Sequence, residues 1–163
     1  MTVRLLFMLW VSTTALANPA DDLKAVGHGE MNWMFWKLYD IQLLSSNGRY
    51  EQQRYPVALV IRYARKIEAA RLVETTRDQW QHLSLPWQET WLQQLQQIWP
   101  TVDVGDELMF RIEADLTSRF YYNGQFIGQI NDPAFADAFL AIWLSPNTIE
   151  PGLRQQLLGE PNA

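Results

Sequence analysis

The sequence predicts an α+β domain, an antiparallel sheet with a layer of helices gathered on one face. Three observations carry this. Apolar residues alternate with period two in the stretches 25–44 and 107–130, and 55–64 is a short apolar run. Between and after these stretches the apolar residues recur at helical spacing. Asn-Gly pairs at 47–48 and 123–124 follow or separate apolar runs, as turns between strands do. Strands, a helix pair, strands and then helices is not the order of alternating βα units.

Taken in order, AVGHGEMNWMFWKLYDIQLL at 25–44 reads as two strands or one long bent one. Met31, Trp33 and Phe35 alternate with polar or smaller residues, and Leu38, Tyr39, Ile41 and Leu43 continue. YPVALVIRYA at 55–64 is apolar on both faces, which suits a central strand covered on both sides. A helix follows, with Ile67, Ala70, Val73, Trp80 and Leu83 on one side and Arg71, Glu74, Arg77 and Asp78 opposite. A second is expected to open near Pro86, with Trp87, Trp91, Leu95 and Ile98 as its apolar stripe and Pro100 as its stop. Leu108, Phe110 and Ile112 then alternate with Met109, Arg111 and Glu113. SRFYY, the Asn123-Gly124 turn and QFIGQI form a hairpin, because both turn residues need positive φ. Alternation puts Phe120 and Tyr122 on one face and Tyr121 on the other. Asp132 caps the next helix and Pro133 opens it. Phe135, Ala138, Phe139, Ile142 and Trp143 make that helix apolar nearly all round, so it should be buried. EPGLRQQLLG closes the chain with a short helix and a terminal Gly159.

Composition narrows the function classes. Hydrophobic residues are 48% and aromatics 13% of 163 residues, enough for one domain with a sizeable core. The net charge is −5 with no Lys/Arg run, which argues against nucleic acid as a partner. The chain has no cysteine, so disulfides, thiolate nucleophiles and thiolate metal sites are excluded. At the start, Arg4, the apolar run Leu5–Val11 and Ala15-Leu16-Ala17 read as a secretory signal with cleavage near Ala17. The run falls short of the roughly 20 apolar residues of a spanning helix. The expectation is a signal peptide over 1–17, one domain over 18–163, a periplasmic location and no membrane span. Removal of the leader leaves 12 basic residues against 18 acidic ones.

Catalytic motifs are sparse. No GxSxG elbow, GxGxxG loop or P-loop is present, and VGHGEMN matches none of them. The two histidines, His28 and His82, form no HxH or HxxxH pair, so neither a metal nor another cofactor is expected. His82 suits a helix C-terminus. His28 lies between two glycines in the first strand and is the one imidazole in a rigid element. Arg62 is a charge inside an apolar strand: it either meets water or a carboxylate at the sheet surface, or anchors a ligand carboxylate with its guanidinium fork. Tyr63 beside it, and Tyr121 and Tyr122, are candidate pocket lining whose hydroxyls need polar partners.

VGHGEMNWMFWKLYDIQLL, ALVIRYARKI, WPTVDVGDEL, RFYYNGQFIGQINDPAFADAFLAIWLSPNT and PGLRQQLLG together resemble the exported bacterial chalcone isomerase-like family. The resemblance spans almost all of the chain after the leader. It implies the chalcone isomerase fold, an open-faced sandwich of a large antiparallel sheet and helices. Plant isomerases of this fold close a flavanone ring with an Arg and a Thr on the first strands and a Tyr, Lys and Asn from a helix region. Related plastid proteins hold a fatty-acid carboxylate with an Arg and a Tyr. On the first-strand motif the Arg position falls at His28 and the Thr-or-Tyr position at Tyr39. The helix region EAARLVETTRDQWQHL has no matching Tyr. The resemblance thus implies a protein without isomerase activity that binds a fatty acid or another small apolar carboxylate. The expected ligand residues are His28, Tyr39, Arg62, Tyr63 and Tyr121, with Arg65 as a helper. An enzyme of unknown substrate and a partner-binding protein with a filled core are the alternatives.

Overall fold

The computed structural model describes residues 17–160. The expected leader lies outside these residues apart from Ala17. Six strands form one antiparallel meander in sheet order: β1 (Lys24–Trp33), β2 (Trp36–Ser45), β3 (Val57–Tyr63), β4 (Glu107–Ile112), β5 (Ser118–Tyr122) and β6 (Gln125–Ile130). Four helices, α1 (Ala69–His82), α2 (Glu89–Ile98), α3 (Pro133–Leu144) and α4 (Pro151–Leu157), cover one face. The stretch 25–44 is therefore two strands, closed by Met34 and Phe35 between the paired residues Trp33 and Trp36.

Strand alternation writes the inner face. Tyr39, Ile41 and Leu43 stand opposite Tyr63, Ile61 and Leu59, and these last two stand opposite Leu108 and Phe110. Phe110 in turn faces Phe120. Onto this ladder α3 lowers Phe135 and Phe139, stacked with ring centroids 5.5 Å apart. Tryptophan N–H groups tie the helix layer together. Trp80 of α1 donates to the Ala138 carbonyl of α3 at 2.8 Å. Trp91 of α2 donates to the Asp132 carboxylate at 3.0 Å, while the other oxygen of Asp132 caps α3 by accepting from the Ala134 N–H.

The outer face carries a smaller apolar cluster of Ala20, Leu44, Ala58 and Met109, with Leu23, Val60 and Tyr121 packed on it. This explains why β3 reads as apolar on both sides: the segment before β1 covers its outer face. Asn123 and Gly124 take φ of 48° and 82° between β5 and β6, as the hairpin demands.

Two points differ from the sequence reading or extend it. The second helix begins at Glu89 rather than at Pro86, and Gln88 before it is extended. The Leu85 N–H still bonds to the Trp80 carbonyl, closing α1 through Ser84 at φ 51°. Proline fixes φ near −65°, a value that extended polyproline geometry shares with a helix start. The glycines of VGHG have a packing reason. A Cβ on Gly27 would run into the main chain of Gln156 and Leu157, and one on Gly29 into the side chains of Gln156 and Leu153. They let α4 lie directly on β1. Among the described residues no helix is long and apolar enough to cross a membrane.

Candidate ligand-binding site

A cavity of about 700 Å³ lies between α1 and the inner face of the sheet. Helix α1 packs on α2 and α3 rather than on the strands, which leaves this space open. Ile61, Leu108, Phe110 and Phe120 form its floor, Leu72, Thr75, Thr76 and Gln79 its roof, and Phe139, Ile142 and Trp143 one wall. The Thr76 hydroxyl is already used, donating to the Leu72 carbonyl at 2.9 Å, so the roof is less polar than its residue names imply. The lining also holds Arg65, Lys66 and Arg71 against Glu68 and Glu150. Lys66 pairs with Glu68 at 3.5 Å and Arg71 with Glu74 at 2.7 Å, which leaves Arg65 as the lining cation without an ion pair among the described residues.

Two tyrosines face each other at the β2–β3 step of this cavity, with ring centroids 5.9 Å apart and edge to face. Trp143 Nε1 donates to Tyr39 Oη at 3.1 Å. That bond occupies an oxygen lone pair and leaves the Tyr39 hydrogen free to donate. Burial pushes the Tyr39 phenol up to about 12, with the Trp143 N–H acting the other way. Burial likewise raises Tyr63, and the neighbouring Tyr39 adds to it. Both are thus neutral donors near pH 7. The Tyr63 hydroxyl has no hydrogen-bond partner among the described residues. Gln79 Oε1 and Trp99 Nε1, from two further lining residues, are buried without partners. Arg65 lies over the Trp36 ring at 4.2 Å from its centroid.

Of the five expected ligand residues, the structure brings Tyr39 and Tyr63 together at the cavity. His28, Arg62 and Tyr121 lie on the opposite face of the sheet, so, contrary to the expectation, they do not share a site with the two tyrosines. The cause is the period of two: Gly29 and Met31 point inward on β1, so His28 points outward and is exposed. Arg62 is exposed and pairs with Glu107 at 3.2 Å, in a separate polar recess with Asn123. Tyr121 packs on the outer cluster and against Phe126 at 5.8 Å. Sequence reasoning missed Trp143 as the partner of Tyr39, and the α1 roof. A contact between residues 104 positions apart leaves no local signal.

The family model described as chalcone isomerase-like matches residues 19–159. The chain belongs to the chalcone isomerase-like family. An uncharacterized protein of Haemophilus influenzae is 29% identical over 162 residues, covering 98% of this chain and 79% of its own. Among solved structures, a fatty-acid binding protein of Arabidopsis thaliana is similar with a TM-score of 0.65. It is 8% identical, and the match covers 85% of this chain and 88% of that one. At that identity the likeness is one of fold. The order of a six-stranded antiparallel sheet with four helices agrees with it.

Proposed function

We propose that this member of the family binds a fatty acid or a similar small apolar carboxylate in the cavity, without transforming it. The observation that carries the reading is a largely apolar cavity of about 700 Å³ in which two neutral tyrosine hydroxyls stand side by side, with Arg65 among the lining residues. Pockets for small molecules are mostly apolar, with a few placed polar groups, and run to roughly 300–1,000 Å³. The Tyr39 and Tyr63 hydroxyls donate to the carboxylate, and Arg65 supplies charge at the edge of the site. The fatty-acid binding protein of similar fold adds support by analogy. A non-catalytic role fits His28 standing at the first-strand Arg position and exposed on the opposite face of the sheet, which leaves no imidazole or guanidinium from that position beside the two tyrosines. We further propose a periplasmic location, a reading supported by the leader-like Leu5–Val11 run and Ala15-Leu16-Ala17.

The test is mass spectrometry of organic extracts from the purified protein, paired with melting in the presence of saturated fatty acids. Saturating ligand at about 100 times Kd adds about 2.7 kcal/mol of stability, a shift of several degrees. A protein that carries no extractable acid and melts at the same temperature with and without acids would sink the proposal.

A further inference from the structure

We infer that the Trp33–Trp36 tip of the β1–β2 hairpin docks this protein onto the surface of a lipid bilayer, beside the opening of the cavity. The four side chains at this tip, Trp33, Met34, Phe35 and Trp36, are 65%, 73%, 94% and 54% exposed. Consecutive large apolar residues on a protruding turn are not ordinary surface scatter. Turn chemistry does not call for them either. Met34 takes φ 56°, a conformation in which Gly or Asn is the usual residue, so an apolar chain is held there against local preference.

The residue types point to a bilayer. Indole rings settle at the boundary between headgroups and acyl chains, where an apolar body and an N–H are both satisfied. Arg65 lies over the Trp36 ring at 4.2 Å and makes no ion pair among the described residues. Its charge is therefore available to a lipid phosphate while its stem stays with the indole. Lys37, next in the chain, is held by Glu30 and Asp40 at 3.0 and 2.7 Å and contributes less. A protein partner is the poorer occupant. Four residues on a convex tip fall short of the roughly 20–30 residues a side of a specific protein interface. Trp33 belongs both to the tip and to the cavity lining, so a docked tip sets the opening against the membrane. The docking itself does not depend on what the cavity holds.

The experiment is flotation of the protein with vesicles of phosphatidylethanolamine and phosphatidylglycerol, compared with Phe35→Ser and with Trp33→Ser/Phe35→Ser. Wild type is expected to float with the vesicles, and the single variant to partition about tenfold less. Phe35→Ser should melt as wild type does, because the side chain it removes touches almost nothing. Tyr63→Phe should float as wild type does, which separates this inference from the cavity reading. Wild type staying in the soluble fraction, or Phe35→Ser floating equally well, overturns it. So does light scattering that finds a dimer which Phe35→Ser dissociates, since the tip would then serve a second copy.

Discussion

Tyr39 and Tyr63 look equivalent, yet their hydroxyls do different jobs. Tyr39 Oη accepts from Trp143 Nε1, so Tyr39→Phe leaves that indole N–H without a partner. The expected cost is about 1 kcal/mol of stability in urea melts. Tyr63 has no such partner among the described residues, so Tyr63→Phe should leave stability unchanged or slightly higher. Both variants should lower fatty-acid affinity about tenfold in a fluorescent displacement titration. An unchanged affinity in both would remove the tyrosines from the site. Their protonation makes a second prediction. Each phenol has a folded value raised above its unfolded one, so the folded state holds the proton more tightly. That contribution is fully present below about pH 10 and is lost as pH rises towards the folded values. Melting temperature should fall above about pH 10, and less steeply in the Tyr39→Phe/Tyr63→Phe double variant.

At the scale of elements, what the sequence reveals follows from how local the cause is. The Asn123-Gly124 hairpin and the Asp132 cap with Pro133 are legible because two or three adjacent residues determine them. The start of α2 is not, because Pro86 permits both conformations, and the chain leaves α1 through Ser84 at positive φ and the bond from the Leu85 N–H to the Trp80 carbonyl before turning helical at Glu89. The site is legible only by halves. Alternation sorts the residues within β2 and within β3, but the register sets Tyr39 opposite Tyr63, and only the packing of the helices shows that theirs is the helix face. The same parity sends His28, Arg62 and Tyr121 outward, so His28→Ala, Arg62→Ala and Tyr121→Phe should each leave ligand affinity unchanged. The β1–α4 contact is a sharper case, since the glycines on either side of His28 have no local purpose in a strand until a helix is seen lying on them. Gly27→Ala sets a methyl against main-chain atoms, which cannot swing away, whereas Gly29→Ala meets side chains that can. Gly27→Ala should cost about 1–3 kcal/mol in equilibrium unfolding. Gly29→Ala should cost less, and the reverse order would mean that α4 does not dock on β1 in this way.

Seen whole, the molecule is a sheet with two differently finished faces. The helices and the cavity cover one, and a short strap of chain before β1 covers the middle of the other. Arg111 fastens that strap. Its Nη atoms grip both oxygens of Asp22 at 2.6 and 2.8 Å, Nη1 also donates to the Pro19 carbonyl at 2.9 Å, and Nε donates to Glu113 at 2.9 Å. The Arg111 side chain keeps 10% of its surface and Asp22 keeps 59%, so solvent weakens the Asp22 end of the pair. Arg111→Ala does more than remove an ion pair. It leaves Glu113, 23% exposed, with Arg119 at 3.8 Å as its remaining cation, and it frees Ala20 to lift from the outer cluster. A loss of about 2–4 kcal/mol is expected, against about 1 kcal/mol for Asp22→Asn, where Arg111 keeps Pro19 and Glu113. The sign of the pH dependence separates the pair from mere packing. The hydrogen bond from Arg111 holds the Asp22 carboxyl below the usual carboxylate range. Its contribution is therefore present above about pH 4 and is lost as pH falls through the lower folded value. The stability gap between wild type and Asp22→Asn in urea melts should be steady from about pH 5 to 7 and close in more acid solution. A gap that persists undiminished in acid would show that the strap is held by its apolar contacts and not by the charge of Asp22.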